Sequence, residues 1–418
     1  MLSVEDYHLY PKPRQARPPI SPLKSSIKNA ENHSTNRVIN PEANNDKISA
    51  IQQGRSAIMI FRQLFDLASS TYTYILGCEA SREALIIDAV FEQHHRDTAL
   101  LRELDLKVKY AIDTHVHADH VTGAWLMKHH FQAPIVLSKA YAAKEVDVQA
   151  KHGTALVFGD YTLMVRATPG HTNGCLTFVT QDETMAFTGD CLMIRGAGRT
   201  DFQAGSVHTM WQSIREQIFT LPDSCLIYPG HDYMGRTVST VGEEKHFNPR
   251  IGGDAREEDF AGYMNNLGLP HPRLLEIAVP ANLHCGRPRN GEVPPPVAWG
   301  PVTNTFAGIP EVEPNWVARH LDAVYVLDVR SAAEFGGDLG HIDGSTLIPL
   351  DELRERHQEI TSTKPIVTVC QSGKRSAMAT QILNAAGFSK VANIPGGLLQ
   401  WSRLALPGLI LEPPVMPS

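Results

Sequence analysis

Between residues 294 and 301 the chain reads Pro294-Pro-Pro-Val-Ala-Trp-Gly-Pro301, and no regular element can run through it. Each proline fixes its own φ and lacks the N–H that a helix or a sheet ladder would use. The passage reads as a linker spanning 294–305. It divides a chain of 418 residues, already too long for one ordinary domain. The expected organisation is a polar, disordered tail over 1–54, a first domain over 55–293, the linker, and a second domain over 306–412. In the tail, Pro, Asn, Ser and Lys are frequent and no hydrophobic period is sustained. Glu5 and Asp6 are unfavourable for a mitochondrial transit peptide.

Composition narrows the class of protein. Hydrophobic residues make up 42% and charged residues 20%, enough apolar material for sizeable cores. A net charge of -7 disfavours nucleic acid and anionic membrane as partners, because both reward clustered positive charge. No apolar run approaches the roughly 20 residues a bilayer span needs. Six cysteines stand far apart without a C-x-x-C pair, which suits a reducing compartment. The expected location is cytoplasmic, or mitochondrial in a eukaryote, and a homodimer is a permitted assembly.

The first domain mixes strand-like and helix-like stretches over about 240 residues, an α/β pattern of layered sheets with helices outside. One strand, Val108 to Asp113, runs directly into Thr114-His-Val-His-Ala-Asp-His120. Imidazole and carboxylate are the ligand types that Zn, Fe and Mn take. Alternation turns His115 and His117 towards one side, leaving Asp119 and His120 for a second nearby position. Chance histidines in a polar loop would rarely assemble so many ligand types at one strand end. Three more segments repeat the device: Thr168-Pro-Gly-His171, Phe187-Thr-Gly-Asp190 and Tyr228-Pro-Gly-His231 each follow a strand and a glycine. Thr188 and Asp232 are expected to support these loops. His94, His95, His129 and His130 lie in helix-like stretches and are expected to face solvent.

This series resembles the metallo-β-lactamase fold, a four-layer αββα sandwich with its metals at the loop edge. Two branches of that superfamily share the ligands: glyoxalase II thioester hydrolases and persulfide dioxygenases. Longer strings match the second branch, including Phe61-Arg-Gln-Leu-Phe65, Ile194 to Phe202, Tyr228 to Tyr233 and Val279-Pro-Ala-Asn282. The resemblance implies one Fe(2+) per chain held by His115, His171 and Asp190. It also implies oxidation of glutathione persulfide by O2 to sulfite, with glutathione as co-substrate. His117, Asp119, His120 and His231 would then orient the ligands, or hold a second metal. Arg199 and Tyr233 would hold the glutathione part. The alternative is a dinuclear zinc hydrolase of glutathione thioesters with an accessory second domain.

The second domain has short βα units, with Val324 to Val329 and Ile366 to Cys370 as buried strands and a helix from Lys374. Cys370-Gln-Ser-Gly-Lys-Arg375 lies between strand and helix. Convergent N–H groups and a helix N-terminus there would lower a thiol pKa and cradle an anion. The segment resembles the active loop of rhodanese-like α/β domains, with Leu327 to Arg330, Gly340 to Gly344 and Asn393 to Trp401 in support. The resemblance implies Cys370 as nucleophile, Arg375 as its catalytic partner, and Gln371, Ser372, Gly373 and Lys374 as the cradle of a persulfide. Related phosphatases have a loop one residue longer, so the form from Cys370 to Arg375 favours sulfur over phosphoryl transfer. Thiosulfate, sulfite and glutathione are the implied reactants, in either direction.

Overall fold

The computed structural model describes residues 58–293 and 299–411. The tail expected at 1–54, the prolines that open the linker and the last residue of the second domain's expected range lie outside them.

The first sheet carries β1 (Met59–Asp66), β2 (Thr71–Cys78), β3 (Glu83–Ile87), β4 (Lys107–Ile112), β5 (Ile135–Ser138) and β6 (Val148–Ala150), in that spatial order. The second carries β7 (Ala155–Phe158), β8 (Tyr161–Ala167), β9 (Leu176–Thr180), β10 (Met185–Gly189), β11 (Leu226–Pro229) and β12 (Ser239–Thr240), again as neighbours in sequence order. Strand alternation explains the layering. In β2, Tyr74 and Leu76 join the core between the sheets, where they meet Phe178 and Phe187, while Ile75 points the other way. There it packs with Leu101 of α1 (His94–Glu103) and Met127 of α2 (Ala124–Phe131). The second sheet is covered likewise, Ala186 and Ile227 packing with residues of α3 (Val207–Ser213), α4 (Val241–Phe247) and α5 (Glu257–Met264). A last helix, α6 (Leu275–Asn282), returns towards the loop edge. The result is an αββα sandwich, and β2 is buried along its whole length because both faces are covered.

The histidines of α1 and α2 correct one expectation. His95 and His129 face solvent, but His94 is buried and its Nδ1 hydrogen-bonds the Phe91 carbonyl at 2.8 Å.

In the second domain, β13 (Thr303–Asn304), β14 (Pro310–Glu311), β15 (Tyr325–Asp328), β17 (Thr346–Leu347), β18 (Ile366–Val369) and β19 (Val391–Asn393) form one sheet in the order β13-β14-β19-β18-β15-β17. A short pair, β16 (His341–Ile342) and β20 (Leu409–Ile410), lies apart from it. The two faces of the larger sheet are covered by helices, among them α7 (Pro314–Ala318), α9 (Leu353–Arg356), α10 (Lys374–Ala385) and α11 (Gly397–Arg403), while the short α8 (Ala332–Phe335) buries no residue. Part of the passage expected as linker joins this domain. Trp299 packs on Trp316 and Thr303–Asn304 pairs as an edge strand, because an aromatic ring and an open sheet edge both gain from the contact. Arg330, 1% exposed, is held by both oxygens of Asp328 and donates to the Glu334 and Gly340 carbonyls, which ties the loops after β15 together.

Candidate active sites

The loop after β4 is pinned before any ligand is considered. Asp88 accepts from the Thr114 N–H at 2.7 Å and from its hydroxyl at 2.9 Å. Asn282 of α6 donates to the His117 and His120 carbonyls, both at 2.9 Å, and accepts from Thr122 N–H at 2.8 Å. Thr114 spends its one hydrogen on Asp88, so its oxygen accepts from Nδ1 of His115 at 3.0 Å. That leaves the lone pair of His115 on Nε2.

His171 is set the same way. Its Nδ1 lies 2.6 Å from the Arg199 carbonyl, which only accepts, so Nε2 again keeps the lone pair. That nitrogen stands 3.7 Å from Oδ2 of Asp190. Ligand atoms of His115, His171 and Asp190 all fall within 4.8 Å of one another, and all three residues are buried. Burial holds both imidazoles below their ordinary pKa, while His231, His171 and His115 keep the Asp190 carboxylate below its own against the cost of burial. Two lone pairs and an anionic oxygen that face one another without a proton between them suit a cation. A glycine makes the approach possible: a Cβ on Gly230 would stand 2.7 Å from Oδ1 of Asp190.

The remaining residues of the constellation lie beside this triad. His231 is clasped between two carboxylates, Nδ1 at 2.7 Å from Asp190 and Nε2 at 2.8 Å from Asp119. Burial opposes a charge on it, yet the carboxylates of Asp190 and Asp119 raise its pKa well above the ordinary value. Thr71, which the sequence reading passed over, touches Asp119, His120 and His231 at once, at 3.2, 3.3 and 3.0 Å. His117 turns to Asp88 at 3.1 Å; burial opposes its charge, and that carboxylate raises its pKa to about 9. Nδ1 of His117 and Nε2 of His120 are buried without a partner. Together with Asp119 these two histidines form a second group whose ligand atoms lie within 4.8 Å. Asp88, Thr71 and Asn282 had no signal in the sequence beyond lying next to strand ends or in a matched string. Thr188 donates to the Leu192 carbonyl at 2.6 Å and Asp232 accepts from Met234 and Arg236 N–H groups at 2.8 Å, both as loop supports.

A cavity of about 180 Å³ opens on the triad, lined in part by His171, Asp190, Arg199, Phe202 and Tyr233. Tyr233 is 70% exposed and stacks on the His231 ring. The Arg199 guanidinium is largely engaged, with Asp201 at 2.6 Å and the Pro270 and Leu269 carbonyls at 2.6 and 3.1 Å.

The second site is built on the turn from β18 into α10. Cys370, 1% exposed, ends the strand, and its carbonyl accepts from Leu398 N–H at 2.9 Å. Gly397 is required there, because a Cβ would stand 2.2 Å from that carbonyl oxygen. Gly373 takes φ 86°, which turns the loop into the helix. Burial raises the Cys370 thiol, but hydrogen bonding outweighs it and lowers the pKa: the Ser376 hydroxyl contributes where its one hydrogen is turned to the sulfur, and the N–H groups of Ser376, Ser372 and Gly373 add to it. Gln371, Ser372 and Lys374 have exposed side chains, so the cradle is made by backbone. Arg375 pairs with Glu334 at 2.8 and 2.5 Å and acts on the sulfur by its charge. Ser376, 3.3 Å from the sulfur, was missed because it falls one residue beyond the loop.

The comparisons agree with this division. The family described as "Metallo-beta-lactamase superfamily" matches residues 68–231, and "Rhodanese-like domain" matches residues 313–404. Persulfide dioxygenase ETHE1 of Mus musculus is 49% identical over 235 residues, covering 56% of this chain and 92% of that protein. The crystal structure of ETHE1 from Myxococcus xanthus superimposes with a TM-score of 0.53 at 48% identity, over 55% of this chain and all of that one. A metallo-beta-lactamase from Staphylococcus aureus matches with a TM-score of 0.51 at 25% identity, over 82% of this chain and 99% of its own. The chain belongs to the persulfide dioxygenase family, built on a metallo-β-lactamase fold and followed by a rhodanese-like domain.

Proposed function

We propose that the first domain oxidises glutathione persulfide with O2 to sulfite and glutathione at a single iron held by His115, His171 and Asp190. The observation that carries this reading is the triad itself: ligand atoms of His115, His171 and Asp190 lie within 4.8 Å of one another, and Nε2 of each histidine keeps its lone pair. His231 lies beside it, its two nitrogens engaged by the carboxylates of Asp190 and Asp119. When bound, ferrous iron would supply coordination positions for both the sulfur and dioxygen. The residues around it do the rest. Thr114 and the Arg199 carbonyl fix the tautomers of His115 and His171. The charge and hydrogen bond of His231 favour the ionised form of Asp190. Tyr233 and Arg199 border the opening and are the proposed glutathione contacts, Tyr233 having the freer side chain. The reaction balances as GSSH + O2 + H2O giving GSH, sulfite and two protons.

In the second domain Cys370 is the proposed nucleophile. Its thiolate attacks the outer sulfur of thiosulfate, the S–S bond breaks, and sulfite leaves. The resulting persulfide sits among the N–H groups of Ser372, Gly373 and Ser376. A glutathione thiolate then takes the outer sulfur and regenerates Cys370. Run in this direction, the product is the substrate of the first domain, and the covalent link raises its local concentration. A second reading has a specific observation behind it: the unpartnered nitrogens of His117 and His120 beside Asp119 could bind a second ion in a thioester hydrolase. Oxygen uptake with glutathione persulfide, together with metal content, tests the choice. One iron per chain and uptake abolished by His171→Ala are expected. Two zinc ions per chain, or uptake that survives the substitution, would overturn the dioxygenase reading.

A further inference from the structure

A chain of buried hydrogen bonds leads from the sulfur of Cys370 to the edge of the second domain. Ser376 Oγ lies 3.3 Å from Cys370 Sγ and 2.6 Å from Asn393 Oδ1. Asn393 Nδ2 donates to Glu311 Oε1 at 2.9 Å, across the parallel pairing of β14 with β19. Ser376 and Asn393 are 0% and 1% exposed, so water cannot take either partner's place. The hydroxyl of Ser376 has one hydrogen and can serve either the sulfur or Asn393, not both. A carboxylate only accepts, so ionised Glu311 holds the amide with its NH2 outward and its carbonyl towards Ser376. The Ser376 hydrogen is then committed to Asn393, and a thiolate on Cys370 lacks that donor. If the group at 311 can donate, the amide can turn over: Asn393 donates to Ser376, and Ser376 donates to the thiolate.

We infer that Glu311 is a positioning residue of the sulfur-transfer site, whose carboxylate sets the direction of the Asn393–Ser376 chain and thereby withholds a hydrogen bond from the Cys370 thiolate. The inference rests on the reading of Cys370 as nucleophile. Glu311 also lines a cavity of about 350 Å³ against the first domain, with His95, Arg102, Glu103 and His130. Burial raises its pKa, opposed by Asn393; Glu103 of α1 and Glu313 raise it further and Lys374 lowers it. At the other end, Arg375 (paired with Glu334) and the more distant Asp328 are the charges that face the loop.

The test is the ultraviolet absorbance of the Cys370 thiolate against pH, taken as a difference from Cys370→Ala in each background. Glu311→Gln should lower the apparent pKa of Cys370 by about one pH unit, the size of one hydrogen bond to a charged group. Glu313→Gln removes the same charge nearby without touching the chain and should shift it less. In a Ser376→Ala background the Glu311→Gln shift should fall to the Glu313→Gln value. Equal shifts from the two glutamates, or a Glu311→Gln effect that survives Ser376→Ala, would overturn the inference. Thiosulfate transfer is assayed separately. A chain-dependent shift in a protein without transfer activity upholds the Glu311 assignment and removes only the nucleophile reading.

Discussion

The two sites are assembled from different materials. The candidate metal triad takes one residue from the loop after β4 in the first sheet and one each from the loops after β8 and β10 in the second, so its geometry depends on how two sheets pack. The sulfur site takes one side chain and a run of backbone N–H groups from a single turn between β18 and α10. Side chains gathered from afar need others to orient them, hence Asp88, Thr71, Asn282 and His231. A backbone cradle is set by the turn itself and by the glycines that permit it. The first site should therefore be sensitive to substitutions at residues that touch no substrate, and the second to few positions besides Cys370 and the groups bonded to it.

The largest expected effect separates the two chemistries in one chain. His171→Ala should reduce oxygen uptake with glutathione persulfide to background while leaving thiosulfate–glutathione transfer near the wild-type rate. Cys370→Ser should do the reverse. Loss of both activities in either variant would mean that the sites are not independent. Next comes Asn282→Ala, which leaves the His117 and His120 carbonyls and the Thr122 N–H without partners in a buried place. Several unsatisfied groups together should cost about 3 kcal/mol. Thermal unfolding should register that loss in the first domain, with the second domain's amide protection unchanged.

Thr71→Val sharpens the comparison at smaller scale. The valine keeps the shape but removes a hydroxyl that Asp119, His120 and His231 share. Metal affinity should fall about 10-fold, the low end for a group that orients ligands from behind. It would be measured by competition with a chelator at fixed pH. An unchanged affinity would mean that His231 is held by its two carboxylates alone.

The contrast also explains what could be read from the sequence. Layered sheets with helices outside, and short βα units in the second domain, followed from apolar periodicity, because strands such as Glu83–Ile87 and Ile366–Val369 are buried and short. The four-layer αββα order came from the resemblance carried by the matched strings. His115, His171 and Asp190 stood out because each follows a strand, and Cys370 because its loop is contiguous. What escaped was whatever depends on the packing of one segment against another. Thr71 lies 49 positions from His120 and 160 from His231, a spacing that no local pattern reveals. Glu311 reaches Ser376 only through Asn393, which is 82 positions away in sequence but adjacent across two strands. Trp299 and Thr303 were assigned to the linker because prolines mask the fact that the next residues pack on the following domain. The direction of His117 and His231 was equally hidden. Alternation placed His117 beside His115, and their ring centroids do lie 4.1 Å apart, but only the fold shows that Nε2 of His117 is engaged by Asp88.

The smallest effect concerns the Arg375–Glu334 pair beside the sulfur loop. Glu334 receives two N–H groups from Arg375 and one from Ser331, and the Arg375 guanidinium is the main reason its pKa drops to about 2. A carboxyl whose folded pKa lies below its unfolded value binds its proton more weakly when folded. Its stabilising contribution is therefore complete above the ordinary value of about 4.5 and is lost as the pH falls towards about 2. Both side chains are more than a third exposed, so solvent screens the pair and the contribution should be no more than about 1 kcal/mol. Glu334→Gln removes it at every pH. Amide exchange of β18 in the full chain should be faster in the variant by less than about 10-fold at neutral pH. The two proteins should converge as acid titrates Glu334. A difference that stayed constant through that range would assign the effect to something other than the charge of Glu334, and not to lost capping of α8, since a glutamine there can still accept from Ser331.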